Sequence, residues 1–248
     1  LRSVLAALIV FAFADPLWNP APRIAGSGPL LVVVDNGWAA ANRWRDRVNA
    51  LDALLAEARR DNRPVLILGT APAATVAELS FAAADDAAAR ARALQPLPIA
   101  TDRLALVQQI EAANSIPKSG IQTVWLSDGI DDGNAATFSA RLSKIAGTQG
   151  LEVVEPRRND IAFALLPPAI EGDAFVATAL RADGTIPASA SARAVAADGS
   201  LVGEVSFGFA AGERSAPVRF DFPLELRNRI SRIEIAGDNS AGSVSLID

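Results

Sequence analysis

A chain of 248 residues with a net charge of -5, half of it hydrophobic, has room for one large or two ordinary domains, each able to bury a core. It holds no His, Cys, Met or Tyr, which excludes serine–histidine–aspartate and cysteine–histidine mechanisms, disulfides, thiolate zinc sites and imidazole ligands. The acidic balance, with no clustered basic face, argues against a nucleic-acid partner, so chemistry falls to carboxylates, hydroxyls, amides, Arg, Lys118, Lys144 and the backbone.

The first segment stands apart. Val4 to Ala14 is an unbroken apolar run, preceded by Arg2 and closed by Asp15-Pro16. A spanning helix needs roughly 20 residues, and the chain starts at Leu, so residues 1–18 read as the end of a transmembrane helix with Trp18 at the interface. The rivals are a signal-peptide core, since Ala12-Phe13-Ala14 fits a small-x-small cleavage site, and a buried soluble helix. Arg2 before the run and Asp15 after it place the bulk of the chain outside the cytoplasm. Residues 19–29, rich in Pro and Gly, read as a linker.

Residues 30–157 alternate strand and helix. Leu30 to Val34 has no polar alternation, as a parallel strand covered on both faces requires. Trp44, Val48, Leu51, Leu54, Leu55 and Ala58 recur at helical spacing, which predicts a helix over about 40–60 with Arg45, Arg47, Asp52 and Glu57 outward. Pro64 to Leu68 is a second buried strand. A strand near Val76–Phe81 and a helix over about 84–94 are expected next. A further helix opens at Thr101-Asp102, with Leu104, Val107 and Ile110 on one face. The strand Gln122 to Leu126, a helix from about Asn134 with Phe138, Leu142 and Ile145 inward, and a short strand Leu151 to Val154 complete a parallel α/β sheet.

From 158 to 248 the period is two. Val205, Phe207 and Phe209 make one face, Val218, Phe220 and Phe222 alternate with Arg219 and Asp221, and Ile233 and Ile235 alternate with Arg232 and Glu234. Turns at Asp183-Gly184, Asp198-Gly199, Ala211-Gly212 and Gly237-Asp238-Asn239 space five to seven strands as in an immunoglobulin-like β-sandwich.

Ligands of open parallel sheets bind outside the C-terminal strand ends, where strand order reverses. Asp35 follows the first strand, and Asp128 follows a later one within Ser127-Asp128-Gly129. If those strands are neighbours, both carboxylates share one crevice with Thr101, an oxygen set of the kind Mg²⁺ or Ca²⁺ takes. The simpler reading makes both Asp residues turn formers and caps with nothing bound. Asp128 to Asn134 lacks the alternating ligands of a calcium loop, and Gly69 to Pro72 lacks a P-loop. Trp38 beside the crevice is a candidate partner anchor, or a Trp packed over the helix start.

The order of an apolar strand ending in Asp, a long helix, a buried strand, a Thr at a helix start and a strand ending in Ser-Asp-Gly resembles a von Willebrand factor A domain, a Rossmann-like parallel sheet with flanking helices. Its metal-ion-dependent adhesion site is built from Asp-x-Ser-x-Ser, a Thr and an Asp. Asp35, Thr101 and Asp128 match three of those positions, while Gly37 and Ala39 stand at the two Ser positions, so the site is degenerate. With the apolar N-terminal run, residues 1–156 resemble the BatA-like, aerotolerance-type bacterial membrane proteins, which carry two N-terminal transmembrane helices. The resemblance implies an inner-membrane protein with its globular part in the periplasm, serving non-catalytic protein–protein interaction in the cell envelope beside a MoxR-type AAA+ ATPase system. It implies no cofactor, or a weakly held Mg²⁺ at Asp35, Thr101 and Asp128. The expected partner-binding residues are Asn36, Gly37, Trp38, Ser127 and Asp128. The alternative is a Mg-dependent hydrolase using the same strand-end carboxylates, with Asp131 or Asp132 as third ligand.

Overall fold

The computed structural model describes residues 28–72, 79–117, 120–172 and 174–247. The apolar run Val4–Ala14 lies outside them, and so do residues 76–78 of the strand expected near Val76–Phe81. Among the described residues no helix is long and apolar enough to cross a membrane.

The first half is a four-stranded, all-parallel sheet in the order β2-β1-β3-β4, made of β1 (Leu30–Val34), β2 (Val65–Gly69), β3 (Gln122–Leu126) and β4 (Leu151–Val154). Both faces are covered, which is why β1 needed no polar alternation: its five residues are all buried. Helices α1 (Trp44–Arg60) and α2 (Ala84–Ala93) close one face, over Val32, Val34, Ile67 and Val124. Helices α3 (Arg103–Ala112) and α4 (Ala135–Ala146) close the other, over Leu31, Val33, Leu66 and Trp125. The four helices and four strands fall where the periodicity puts them, with two differences. A 3₁₀ turn at Trp38–Ala41 precedes α1. Beside β2 there is no strand over residues 79–81, only a single antiparallel bridge from Ala82 to Val65.

Among its described residues the second half holds seven antiparallel strands, β5 (Phe163–Glu171), β6 (Ala174–Arg181), β7 (Ala188–Ala196), β8 (Leu201–Phe209), β9 (Ser215–Phe220), β10 (Ile230–Ile235) and β11 (Val244–Leu246). They form sheets in the orders β11-β10-β7-β8 and β5-β6-β9. A one-turn helix, α5 (Leu224–Arg227), joins β9 to β10. The period-two pattern is visible in β9, whose burial alternates strictly, with Ala216, Val218 and Phe220 inward. One apolar core, including Phe175, Phe207, Phe209, Phe220 and Ile233, is shared by the two sheets.

Residues 155–162 join the halves, and the joint is packed. Asn42 Nδ2 donates to the Asp160 carbonyl at 3.0 Å, and Arg43 pairs with the Asp160 carboxylate at 3.1 Å. The Trp38 ring lies on Gly242 so closely that a Cβ there would sit 2.4 Å from its Cζ3.

Candidate functional site

Strands β1 and β3 are neighbours, with Val34 opposite Leu126. The chain order reverses between them, so the loops after β1 and β3 meet at the switch point of the sheet. Asp35 and Asp128 therefore come together as expected, but a third residue stands between them. The Arg103 guanidinium, 1% exposed, donates from Nη2 to Asp35 Oδ2 and to Asp128 Oδ1, both at 2.8 Å. Its Nε reaches Asp35 Oδ1 at 3.3 Å, and its Nη1 reaches the Ile130 carbonyl at 3.0 Å and Asp132 Oδ1 at 3.3 Å.

The rest of the cluster is equally committed. Asp35 also accepts from Thr70 Oγ1 at 2.9 Å, Trp125 Nε1 at 3.1 Å and the Asp128 N–H at 3.1 Å. With charge-assisted hydrogen bonds on both oxygens it is a structural hub at the end of the sheet. Asp128 further accepts from the Ile130 N–H at 2.9 Å. Burial and the neighbouring Asp35 push the Asp128 carboxyl up to about 6, against the pull of Arg103, the Ile130 N–H and Arg47. Burial alone would lower Arg103, but the Asp35 hydrogen bonds and the charges of Asp35, Asp128 and Asp132 raise it.

The remaining expected site residues are mostly internal. Asn36 is buried, its amide bonded to the Ala71 carbonyl at 2.7 Å and to the Ala71 N–H at 2.8 Å. Gly37 packs against Thr101, whose Cγ2 would lie 2.8 Å from a Cβ placed there, so a side chain at Gly37 has no room. Ser127 is buried, and its Oγ accepts from the Gly129 N–H at 3.1 Å. Of the residues expected to meet a partner, Asn36, Gly37, Ser127 and Asp128 are thus buried, and the partly buried Trp38 leans on Gly242. Of the two acids offered as a third ligand, Asp132 joins the Arg103 cluster and Asp131 caps α4, accepting from the Gly133 and Ala135 N–H groups.

Two buried arginines escape the sequence reading. Arg103 occupies the first buried position of α3, ahead of Leu106, Val107 and Ile110, so the stripe starts there and Leu104 lies beside it. Arg47, expected outward, is instead buried with Leu51, Leu54, Leu55 and Ala58. It ties the switch-point loops together, donating to the carbonyls of Ala40 at 3.0 Å, Asn42 at 2.9 Å and Ser127 at 3.3 Å. Burial lowers its pKa. Beside it a groove of about 410 Å³ opens between the start of α1 and the ends of β3 and β4, walled by Arg43, Arg47, Val154 and Arg157 among others.

A divalent cation would need the carboxylate oxygens that Arg103 holds. A tethered guanidinium stands at the point the two strand-end Asp residues share, and the residues present do not fit a metal. Among the described residues no group of three or more acidic side chains is arranged to hold one.

Fold and site together define an open, doubly wound α/β unit with a buried charge cluster at its switch point, joined to a seven-stranded β unit. No protein-family model and no curated protein sequence matches the chain.

Proposed function

We propose that the chain is a membrane-anchored protein–protein interaction module of a bacterial cell envelope, non-catalytic, built on a von Willebrand factor A-type unit whose adhesion site has exchanged its metal for Arg103. The carrying observation is the guanidinium bound to Asp35 and Asp128 at 2.8 Å each. It holds carboxylate oxygens a hydrolase would need for metal and water, and it makes the switch point a rigid scaffold. The strand order β2-β1-β3-β4, with an antiparallel bridge outside β2, supports the A-type reading because it is the centre of the 3-2-1-4-5-6 doubly wound order. Seven strands in sheets of four and three support an immunoglobulin-like sandwich for the β unit.

Because the switch-point residues are buried, a partner meets the surface next to them, the groove by Arg43, Val154 and Arg157. The resemblance to BatA-like proteins makes a MoxR-type ATPase system the partner to look for, with the apolar N-terminal run as anchor and the globular part in the periplasm. Site-directed photo-crosslinking in bacterial cells tests this. Probes at Val154 and Arg157 are expected to give one adduct of defined mass, and probes at the exposed α4 position Lys144 none. Adducts from every position alike, or from none, would remove the groove as an interface. Calorimetric titration of Mg²⁺, Mn²⁺ and Ca²⁺ separates the alternative: micromolar binding that Asp128→Ala abolishes would restore the hydrolase reading.

A further inference from the structure

The two edges of the parallel sheet are finished differently. Outside β2 the chain returns to close the edge, where Val65 and Ala82 exchange main-chain hydrogen bonds at 2.8 and 3.0 Å. Outside β4 nothing comparable occurs among the described residues, and β4 pairs with β3 alone. The Gly150 and Val154 carbonyls accept from the Thr123 and Ser127 N–H groups at the two ends of that pairing. In a parallel ladder one residue turns its N–H and C=O to the same neighbour, and the next residue turns both away. Gly150, Glu152 and Val154 therefore serve β3, while Leu151, Val153 and Glu155 direct their main-chain groups out of the sheet.

Such a row of free donors and acceptors is a template for another strand. Val153 and Val154 are 38% and 40% exposed, and neither Lys nor Pro stands within β4. The strand is short and carries Glu152, which blunts it against strands at large but not against its own sequence. A strand added antiparallel must offer apolar residues opposite Glu152 and Glu155, and β4 itself does so. Centred on Val153, a two-fold axis sets Glu152 opposite the second copy's Val154, Glu155 opposite its Leu151, and Val153 opposite its own counterpart. Centring on Glu152 would set two like charges directly opposite each other, which is destabilising. Centring on Val154 would carry Leu151 past Pro156 and out of the pairing.

From the open edge and its self-matching charge pattern, we propose that β4 pairs antiparallel with β4 of a second copy of this chain about an axis at Val153, joining the two four-stranded sheets into one. All three outward residues are then used, because opposed residues of this kind exchange both N–H···O bonds. The contact is isologous, with the same surface on both copies, so it closes at a dimer. It stands whether or not an envelope partner binds. A cellular probe at Val154 that captures a second copy gives twice the chain mass, which keeps the two contacts apart.

The chain holds no Cys, so single cysteines in the purified full chain, kept in mild detergent, report the register. Oxidation is expected to join Val153→Cys chains, because opposed residues in a hydrogen-bonded pair stand about 5.5 Å apart at Cα, within disulfide reach. Glu152→Cys is expected to stay unlinked alone, since its own counterpart lies diagonally at about 8 Å, and to link when mixed with Val154→Cys, which it faces. Light scattering, with the detergent mass subtracted, reads the assembly without trapping it. The wild type is expected at twice the chain mass, and Val153→Lys at the single mass with an unchanged Tm, because two like charges then meet at an exposed position. A single-chain mass for the wild type at every concentration up to its solubility limit overturns the proposal. So does a dimer that survives Val153→Lys, or a Glu152→Cys chain that links to itself as readily as Val153→Cys.

Discussion

The two poles of the parallel sheet both bury arginine side chains, and Arg103 at one is the opposite of Arg63 at the other. At the C-terminal pole Arg103 meets three carboxylates and a carbonyl, and its neighbours Asp35 and Asp128 are themselves bonded to the backbone and to Thr70 and Trp125. At the N-terminal pole Arg63, scarcely more exposed, has among the described residues one carbonyl and no carboxylate. Depth of burial therefore says little about what a buried charge does. A saturated one locks the fold around it, while an unsaturated one carries a desolvation cost that no partner offsets. The pole that the fold class marks for ligands is the locked one.

Replacing Arg103 by Met tests the lock most severely. It leaves two buried carboxylates facing each other, and breaking a buried pair this way costs about 3–5 kcal/mol. Urea unfolding should show that loss, and Arg103→Met combined with Asp128→Asn should recover a large part of it. A loss under about 1 kcal/mol for the single change would mean the cluster is relaxed by water, and the lock would not exist.

The next effect is pH-dependent. The folded chain holds the Asp128 proton more tightly than an unfolded one, at about 6 against an ordinary 3.8. Ionising it therefore costs the fold, with the penalty absent below about pH 4 and complete above about pH 6, up to about 3 kcal/mol. Relative to Asp128→Asn, the wild type should lose stability as pH rises through that window. A difference that stays flat between pH 4 and 7 would show the cluster titrating as one unit outside it.

A smaller effect comes from the joint between the halves. Gly242→Ala drives a Cβ to 2.4 Å from the Trp38 ring and should cost about 1–3 kcal/mol. In a double-mutant cycle Trp38→Ala should absorb most of that cost, because the clash needs both side chains. Additive losses would mean that the ring moves aside and the halves are not joined through it.

How far the sequence exposed these features depends on their range. Strands and helices were legible because each repeats a local period: Leu30 to Val34 is continuous and buried on both faces, and β9 alternates. The meeting of Asp35 with Asp128 was legible as a conditional, since both follow parallel strands. Their counter-ion was not, although the spacing contained it. Arg103 precedes Leu106, Val107 and Ile110 by three, four and seven residues, and Arg47 stands likewise before Leu51, Leu54 and Leu55. An Arg that opens an apolar stripe in the first turn of a helix, against the helix dipole, points to a buried partner for its charge. The contact of Trp38 with Gly242 and the burial of Arg63 leave no such trace, because they depend on packing between segments distant in sequence.

The smallest expected effect is the sharpest test of the contrast between the poles. Arg63→Met removes a buried charge that has, among the described residues, one hydrogen bond and no ion pair, so the lost bond and the relieved desolvation nearly cancel. Its unfolding free energy should stay within about 1 kcal/mol of the wild type, while Arg103→Met loses several times as much. If Arg63→Met were as costly as Arg103→Met, its guanidinium would have an internal partner after all, and the two poles would be alike.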